Sequence, residues 1–509
     1  MKRKTSRVNG IICITVLALV FALLASSCAS GEPAETTAEV TSPEATVTTA
    51  PTGDATEEET IPLLEVRNFG GETFRIIWPQ PHSDGHFMHD EINVDQDSGD
   101  IIDSAVFKRN RKVEDDYGIR ITSILIWCSS ISGTVTKTIA SGGADDVYDA
   151  FCAPIKMVTS AAIEGKWTDW LTTPYYSADA PWWDSRIMSE FAIAGRQFFG
   201  SGDIIYSDNF YPYSVFANLQ KYNDYQPEET LFSIVKRGAW TIDKLMEICA
   251  SVPSSTDEVW NYDDTYGILV NPSLAQAMLF ASGERLARIN DKGEAEIVMT
   301  LEGTQAVLEK MVKLFHDGHI AYDTDDDIGH NMPGMSHAQT ALAMYTSGQS
   351  IFYSEELIIS ERLVNAGSTI DTGILPLPKF SAEQENYVDL MNDSVVVGIP
   401  VNADPLRSSL ILSAMSRESM TTLTPAFYNV VLTFRYADNP ESIEMLDIIL
   451  KGATPQDIGT ILGWGGVLTT FKQNVSLGSV DFASKFSTTI RSAQAEARQF
   501  NKKLANLGN

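Results

Sequence analysis

The chain has 509 residues, a formal net charge of −30 at pH 7, and 44% hydrophobic residues. A surface this acidic repels the phosphates of nucleic acids and anionic lipid headgroups, which argues against both as partners. A body of this length exceeds what one ordinary hydrophobic core serves, so two lobes are the default expectation.

The first 27 residues have the pattern of a targeting segment. A basic start precedes an apolar run from Ile11 to Leu24, which is too short to span a membrane. The run ends in Leu-Ala-Ser-Ser-Cys at 24–28, which resembles the lipobox of bacterial lipoproteins. We therefore expect a lipoprotein signal peptide over 1–27 and a lipid anchor at Cys28. The alternative is an ordinary secretory signal with a chance cysteine.

The segment that follows, residues 28–62, is almost wholly Ala, Thr, Glu, Ser, Pro and Gly. Such a composition cannot bury enough apolar surface to offset the entropy of ordering the chain. We interpret it as a disordered tether that separates a folded body from the membrane.

Strand and helix signals alternate in the first part of that body. Phe74–Trp78 is an apolar run typical of a buried strand. Asp100 is placed to cap a helix that Gly118 ends. Strands are predicted over Ile119–Trp127 and Val147–Cys152. This order predicts a parallel sheet with helices on both faces.

The same pattern recurs in the second part of the body. Thr241 caps a predicted helix with a one-sided apolar stripe, and Thr300 begins another that ends near Gly318. Gln349–Tyr353 and Thr372–Leu375 read as strands. The last helix carries apolar residues from position 486 to 504 at alternating spacings of four and three.

The cysteines do not form a disulfide framework. If Cys13 leaves with the signal peptide and Cys28 carries lipid, then Cys128, Cys152 and Cys249 remain. An odd number of scattered cysteines implies that the fold is stabilised by its core.

No catalytic or nucleotide-binding signature is present in the sequence. The motifs GxSxG, HExxH, CxxC, the Walker loop and the dinucleotide glycine fingerprint are all missing. The acidic run Asp323–Asp327 lacks the glycine and closing glutamate of an EF-hand loop, so a solvated loop is the better interpretation. We expect a protein that is not an enzyme and has no cofactor.

One cluster of histidines is a candidate for either a metal site or a polar loop. His82, His86 and His89 lie beside Asp90 and Glu91 in a chain with 7 histidines. This spacing could hold zinc, but no recognised motif supports a metal. We interpret the segment as a solvated loop or as polar groups that hydrogen-bond a ligand, with His86 the candidate contact.

Several segments together resemble the extracellular sugar-binding lipoproteins of ABC importers, in the group common in clostridia-like bacteria. The similarity runs from about residue 66 to about 466. Its segments are "NFGGETFRII" (68–77), "SGDIIDSAVFKRNRKVEDDYGI" (98–119), "PWWD" (181–184), "GAWTIDKLMEI" (238–248), "DDTYGI" (263–268), "DTGILPLPKFSAEQENYVDL" (371–390) and "TPAFYNVVLTFRYADNPESIEMLDII" (424–449). Relatives usually carry an adjacent Asn-Lys pair after the segment where the chain first passes from one lobe to the other. This chain has Asn218 and Lys221 there.

The resemblance implies an α/β, two-lobe fold of the periplasmic-binding-protein type (type II), with a ligand cleft between hinged lobes. It places lobe 1 at 63–208 plus 374–424 and lobe 2 at 212–372 plus 425–509. The crossings fall near Ser207–Ser214 and Asp371–Leu375, and the chain re-enters lobe 2 near Leu423. In such lobes the first strand lies between the second and third, which would separate Cys128 from Cys152 beyond disulfide reach.

Adjacent tryptophans at Trp182 and Trp183 are the first candidates for the ligand site. A sugar has an apolar face of C–H groups, which a flat indole covers, and a rim of hydroxyls for polar groups. We predict that one of the pair, preferentially Trp183, faces the cleft while the other fixes the loop. In the alternative, both are structural cover.

Further candidates come from predicted strand ends and crossings. Trp464, in the turn "GWGG", is predicted to face the tryptophan pair from the second lobe, with a packed turn as the alternative. Glu355 follows a buried strand and Asp393 follows the second crossing, and either carboxylate could bind hydroxyl pairs or serve only as a cap. The first crossing adds three more candidates, for which hinge packing is the rival explanation: Tyr211, Tyr213 and Asp203.

The sequence therefore predicts a monomeric receptor, anchored at the outer face of the cell membrane, that delivers a mono- or oligosaccharide to an ABC permease. A peptide, polyamine or metal chelate is the alternative cargo, since a cation would also favour aromatic and acidic groups. A surface protein that binds or degrades glycans without a transporter is the alternative from another class.

Overall fold

The computed structural model describes residues 64–81, 89–142, 147–257, 259–324, 331–392, 394–428 and 440–507. Residues 61–509 group into a single unit by their internal contacts. Among the described residues, no helix has both the length and the apolar character that a membrane crossing requires.

The strands of the described residues are mostly short. In chain order they are β1 (Glu72–Pro79), β2 (Ile119–Ile126), β3 (Ala150–Pro154), β4 (Ala192–Ile193), β5 (Arg196–Gln197), β6 (Phe199–Gly200), β7 (Tyr213–Asn218), β8 (Tyr266–Val270), β9 (Ala287–Ile289), β10 (Ala295–Ile297), β11 (Ala321–Asp323), β12 (Ser350–Glu356), β13 (Thr372–Pro376), β14 (Asp389–Met391), β15 (Val395–Gly398) and β16 (Ala453–Pro455).

The α-helices of the same residues separate these strands and cover the sheets. In chain order they are α1 (Ile101–Tyr117), α2 (Ile131–Ser141), α3 (Ile155–Ala162), α4 (Ser185–Glu190), α5 (Leu219–Asp224), α6 (Leu231–Lys236), α7 (Ile242–Cys249), α8 (Pro272–Ala281), α9 (Leu301–His316), α10 (His337–Thr346), α11 (Ile359–Asn365), α12 (Pro405–Thr421), α13 (Leu423–Ala426), α14 (Pro440–Gly452), α15 (Ile458–Ile461), α16 (Val467–Ser476) and α17 (Ala483–Asn506).

The sheet of the first lobe has the strand order β2-β1-β3-β15-β6. β1 pairs in parallel with β2 and β3, as the sequence predicted. β15 is antiparallel to both β3 and β6, which the prediction of a parallel sheet missed. Its direction is reversed because the chain enters this sheet from the side where the parallel strands end.

The sheet of the second lobe has the strand order β11-β8-β12-β7-β13. β8 is parallel to both β11 and β12. β7 is antiparallel to β12 and β13, because it too enters from the carboxyl ends of its parallel neighbours. Both sheets therefore present their parallel strand ends to the region where the chain crosses between lobes.

The return crossing lies later in the chain than the sequence predicted. β13 belongs wholly to the second sheet, where Ile374 pairs with Phe216 and Leu375 pairs with Val215. The chain joins the first sheet only at Val395. The change of sheet therefore falls between 377 and 394 rather than near Asp371–Leu375, and the predicted start of the second lobe 1 segment at 374 is too early.

Local capping explains why the predicted helices begin where they do. The Asp100 carboxylate accepts a hydrogen bond from the backbone N–H of Ile102 at 2.9 Å, and Gly118 ends α1 with a φ of 57°. The Thr241 hydroxyl caps α7 and the Thr300 hydroxyl caps α9 in the same way. The helical starts predicted from these three caps are confirmed.

Helix α1 packs against both lobes. Near its start, Ile102 and Val106 lie in a hydrophobic cluster with Phe216 of the second sheet. Near its end, Val113 and Tyr117 lie in the core around the first sheet. Helix α1 is thus part of the hydrophobic cores of both lobes.

The described cysteines are all free thiols. Cys152 and Cys249 are buried and Cys128 is half-buried. Because β1 separates β2 from β3, Cys128 after β2 and Cys152 on β3 stand two strands apart.

Candidate functional site

Two cavities lie where the parallel strands of both lobes end. In the first lobe, β3 ends at Pro154 and α3 begins at the next residue. In the second lobe, β8 ends at Val270 and α8 begins at Pro272. Ligands of open α/β sheets bind at such strand ends. Residues just after both strands line one of these cavities, so it lies between the lobes.

This first cavity, the lysine cavity, has a volume of about 270 Å³. Lys156 at the start of α3 is its contribution from the first lobe. The other polar and aromatic lining residues include Ser273, Gln276, Asn392, Gln456, Trp464 and Lys472. Ammonium, amide and hydroxyl groups around one indole ring suit a polar ligand that also has a flat apolar face.

The second cavity, the glutamate cavity, has a volume of about 280 Å³. It shares Ser273 and Asn392 with the lysine cavity. Its lining includes Tyr213, Asn271, His337 and Glu355. Each cavity is close to the lower end, about 300 Å³, of the usual range for small-molecule pockets. Because they adjoin, one elongated ligand can occupy both.

A pair of side-chain amides lies at the border of the two cavities. β14 and β16 pair in parallel with Met391 opposite Pro455, so Asn392 and Gln456 follow side by side. The Gln456 Nε2 donates to Asn392 Oδ1 at 2.5 Å, and the Asn392 Nδ2 donates to Glu356 Oε1 at 2.8 Å. These two bonds fix the orientation of the Asn392 amide.

The glutamate cavity brings together two residues that the sequence predicted separately, Tyr213 and Glu355. They lie on adjacent antiparallel strands, with Glu355 opposite Ser214. Asn271 donates from Nδ2 to Glu355 Oε2 at 2.8 Å. Burial, and then the charge of Glu355, raises the pKa of the Tyr213 hydroxyl well above its usual value. Tyr213 is therefore neutral at ordinary pH and keeps its O–H as a donor.

Trp464 lines the lysine cavity from a tight turn. The flanking Gly463 and Gly465 have φ of 65° and 63°, a left-handed conformation that favours glycine. A Cβ at Gly465 would lie 2.1 Å from the carbonyl oxygen of Thr489. The indole packs edge-on against Phe500, with ring centroids 5.2 Å apart. The turn thus holds a largely buried ring at a cavity wall.

Trp182 and Trp183 lie in the core of the first lobe, with exposures of 1% and 4%. Trp183 packs edge-on against Trp170 at a centroid distance of 5.3 Å. The backbone of the pair is bonded to the neighbouring segment, since the N–H of Asp203 donates to the Trp182 carbonyl at 3.1 Å. Neither ring lines the two cavities. Their burial favours the alternative that both are structural cover.

Tyr211 and Asp203 lie at the first crossing and do not line either cavity. Tyr211 is fully buried, and its carbonyl accepts a hydrogen bond from the Asn392 N–H at 3.2 Å. Asp203 accepts from the Thr424 hydroxyl at 2.6 Å. Burial raises the pKa of Asp203 to about 6. These contacts fit the hinge-packing explanation for both residues.

Three predicted functional residues lie outside the described part of the chain: Cys28, His86 and Asp393. His82, of the same histidine segment, lies outside it too. His89 is described, and its Nε2 lies 2.9 Å from Oε1 of Glu361. Among the described residues, no group of three or more His, Cys, Asp or Glu side chains is arranged to hold a metal ion.

Several lining residues were missed by the sequence reasoning, namely Lys156, Asn271, Asn392 and Gln456. Lys156 and Asn271 directly follow the apolar runs of β3 and β8, which was a usable signal. Asn392 and Gln456 come together only through the pairing of β14 with β16, for which the sequence carried no signal.

The lobes contact each other at several points around the cavities. His89 and Glu361 join the loop after β1 to α11. The Ala194 N–H, in the β4–β5 turn, donates to the carbonyl of Gly293, in the β9–β10 turn, at 2.8 Å. Arg186 of α4 donates to the carbonyl of Leu450 of α14 at 2.7 Å.

Comparison with protein-family models and with curated proteins finds no match for this chain. Solved structures do match over most of it. The sugar-binding protein MalE from Xanthomonas citri has a TM-score of 0.53 and 11% identity, covering 85% of this chain and 98% of its own.

Two further solved structures have the same fold. An ABC substrate-binding protein from Listeria monocytogenes, in complex with cycloalternan, has a TM-score of 0.51 and 11% identity and covers 86% of this chain and 99% of its own. The cyclic alpha-maltosyl-1,6-maltose binding protein from Arthrobacter globiformis has a TM-score of 0.51 and 14% identity, covering 85% and 100%. The predicted two-lobe α/β fold is confirmed, and at these identities the likeness concerns the fold alone.

Proposed function

We propose that this protein is a receptor that binds a mono- or oligosaccharide between its lobes and delivers it to an ABC permease. The observation that carries the proposal is the pair of cavities at the strand ends of both lobes, which share Ser273 and Asn392. Trp464 offers a ring for the apolar face of a sugar, while Glu355 and the Asn392 amide offer partners for hydroxyls. The solved structures of the same fold include proteins whose names or complexes specify saccharides.

The proposed receptor performs no catalysis and is monomeric. It is held at the outer face of the membrane by lipid on Cys28, with residues 28–62 as the tether. A ligand that contacts both lobes binds more tightly when they touch, and so shifts the population towards that arrangement. A permease can then distinguish a loaded receptor from an empty one by the contact between lobes.

The test is a thermal-shift screen of saccharides, peptides, polyamines and metal ions on the full chain without its signal peptide. A ligand of the native state raises the melting temperature. We expect a shift with one class of saccharide, confirmed by calorimetric titration, and no chemical conversion of it. Shifts only with a peptide or polyamine, or steady hydrolysis of the saccharide, would overturn the proposal.

Trp464→Leu then tests the site. Loss of the ring–sugar contact should weaken saccharide binding by about threefold to tenfold, since aromatic contacts contribute about 0.5–1.5 kcal/mol beyond their buried area. The matched control is Trp260→Leu, because Trp260 stacks on His319 with ring centroids 4.2 Å apart and lines neither cavity. Equal binding by both variants would exclude Trp464 from the site.

A further inference from the structure

The lysine cavity differs in charge from the protein as a whole. The chain carries 67 Asp and Glu residues against 37 Lys and Arg residues. The described lining of this cavity nevertheless includes Lys156 and Lys472 and no Asp or Glu. The carboxylates Glu355 and Glu356 line the neighbouring glutamate cavity instead. Arg362 and His337 line the glutamate cavity as well. The lysine cavity is therefore the half of the interlobe site whose described charged groups are all basic.

Helix orientation adds to the positive character of the lysine cavity. Residues in the first turns of three helices line it: Lys156 of α3, Ser273 of α8 and Leu468 of α16. The N-terminal end of an α-helix carries partial positive charge and favours an anion nearby. Neither α3 nor α16 has a side-chain cap at its start.

The aromatic ring and one of the two ammonium groups come from neighbouring parts of the second lobe, and Lys156 lines the same cavity from the first lobe. Trp464 lies in the turn that leads into α16, and Lys472 lies on the same helix. A pyranose ring stacked on Trp464 would direct its substituents towards the rest of the lining, which includes Lys156 and Lys472. A carboxylate on that sugar would form charge-assisted hydrogen bonds there.

From this arrangement we infer that the cargo is an acidic saccharide, one with a carboxylate-bearing sugar unit bound in the lysine cavity. The inference rests on the proposed function and specifies its ligand class. The glutamate cavity takes an adjoining neutral unit, because Glu355 and Glu356 accept hydrogen bonds from hydroxyls and outnumber the one guanidinium there, that of Arg362. The difference in charge between the two cavities thereby favours one direction of the saccharide.

The experiment is calorimetric titration with matched saccharide pairs. Disaccharides of one glucuronate or galacturonate unit with one neutral hexose are compared with their fully neutral counterparts. We expect the acidic member of one pair to bind at least about tenfold more tightly, since hydrogen bonds to charged groups are worth about 1.5–3 kcal/mol. The advantage should shrink as salt is raised, because Lys156 is exposed to solvent and its charge is screened.

Two variants connect the preference to the cavity. Lys156 is exposed, so Lys156→Gln is expected to fold normally. It should reduce affinity for the acidic member by about tenfold and reduce affinity for the neutral member much less. The control is Lys137→Gln, which removes the same charge from an exposed position on α2 that lines neither cavity. It should bind both members like the parent protein.

The outcomes separate this inference from the proposed function. Binding of neutral saccharides with no acidic preference would overturn the inference and leave the sugar receptor standing. An acidic preference that Lys156→Gln and Lys472→Gln both leave intact would also overturn it, because the carboxylate would then lie elsewhere. Absence of binding by every saccharide tested would overturn both.

Discussion

At the scale of single residues, Glu91 stabilises the segment in which the chain first crosses between the lobes. Its carboxylate is buried and accepts hydrogen bonds from the backbone N–H groups of Tyr206 at 2.8 Å and Ser207 at 3.1 Å. Burial raises the pKa of Glu91 to about 7 despite these bonds. Arg109, also buried, donates to the Glu91 carbonyl at 2.9 Å. The loop after β1 is thereby bonded to the segment in which the chain first crosses between the lobes.

The glycine turn around Trp464 gives the first residue-scale prediction. Gly463 and Gly465 have nearly the same left-handed φ, so alanine at either site carries a similar backbone strain of about 1–2 kcal/mol. Only at Gly465 would the new Cβ meet backbone, the Thr489 carbonyl at 2.1 Å. We expect Gly465→Ala to lower the free energy of unfolding by a further 1–3 kcal/mol, roughly the cost of overpacking, as measured by urea denaturation.

Gly463→Ala serves as the control for strain without a clash, since nothing lies within 4 Å of its added Cβ. If the two variants lose the same free energy of unfolding, the turn does not pack closely against α17 in the protein.

Sequence reasoning found part of the site and missed the rest for a physical reason. Trp464, Glu355 and Tyr213 stood out because large aromatics and acids at strand ends and turns are visible locally. Asn392 and Gln456 are ordinary amides until a parallel strand pair places them side by side. Whether a polar residue binds a ligand depends on which distant residue the fold sets beside it.

At the scale of elements, helices were predicted better than strand directions. The starts of α1, α7 and α9 depend on one side chain and the backbone next to it, which the sequence contains. The direction of β15 depends instead on the lobe from which the chain arrives. The assignment of β13 to the second sheet likewise depends on its pairing with β7. Such directions are decided by tertiary pairing and leave no periodic pattern.

Helix α1 gives a prediction at this scale. Asp100→Ala removes the cap that accepts from Ile102 and Asp103, and should lower the free energy of unfolding by about 1 kcal/mol. Asp100→Asn retains an acceptor at the cap and should lose less. The measurement is urea denaturation followed by circular dichroism. Equal losses in the two variants would mean that the carboxylate acts through its charge rather than as a cap.

At the scale of the whole molecule, a few contacts join the lobes at the ligand side. One is the pair of His89 and Glu361, where the histidine side chain is 51% exposed. The hydrogen bond with Glu361 raises the pKa of His89, and the charges of Glu361, Glu91 and Asp103 add to this, against an opposing effect of burial. Protonation of His89 therefore favours lobe contact.

The pair predicts a pH dependence. Because the pKa of His89 is raised on folding, its stabilisation is complete below the unfolded value of 6.5 and is lost as pH rises through the folded value. His89→Gln should therefore lower the free energy of unfolding at about pH 5.5 and have little effect at about pH 8.5. The difference should be small, about 0.2–1 kcal/mol, since the pair is partly exposed.

Parent and variant are compared at each pH, so that the titration of Glu91 largely cancels. Glu361→Gln should remove most of the same pH-dependent difference, and adding His89→Gln to it should change little further, since only the weaker effects of Glu91 and Asp103 remain. A His89→Gln effect that persists at high pH would contradict an ionic contact between these lobes.

The contact between Ala194 and Gly293 is made by main-chain atoms alone. Truncation of a side chain to alanine leaves such a bond in place and does not measure it. The link constrains Gly293, because a Cβ there would lie 3.1 Å from the backbone N and Cα of Ala194. Only a backbone edit, such as an ester in place of the amide at position 194, would reveal how much this bond restrains the opening of the molecule.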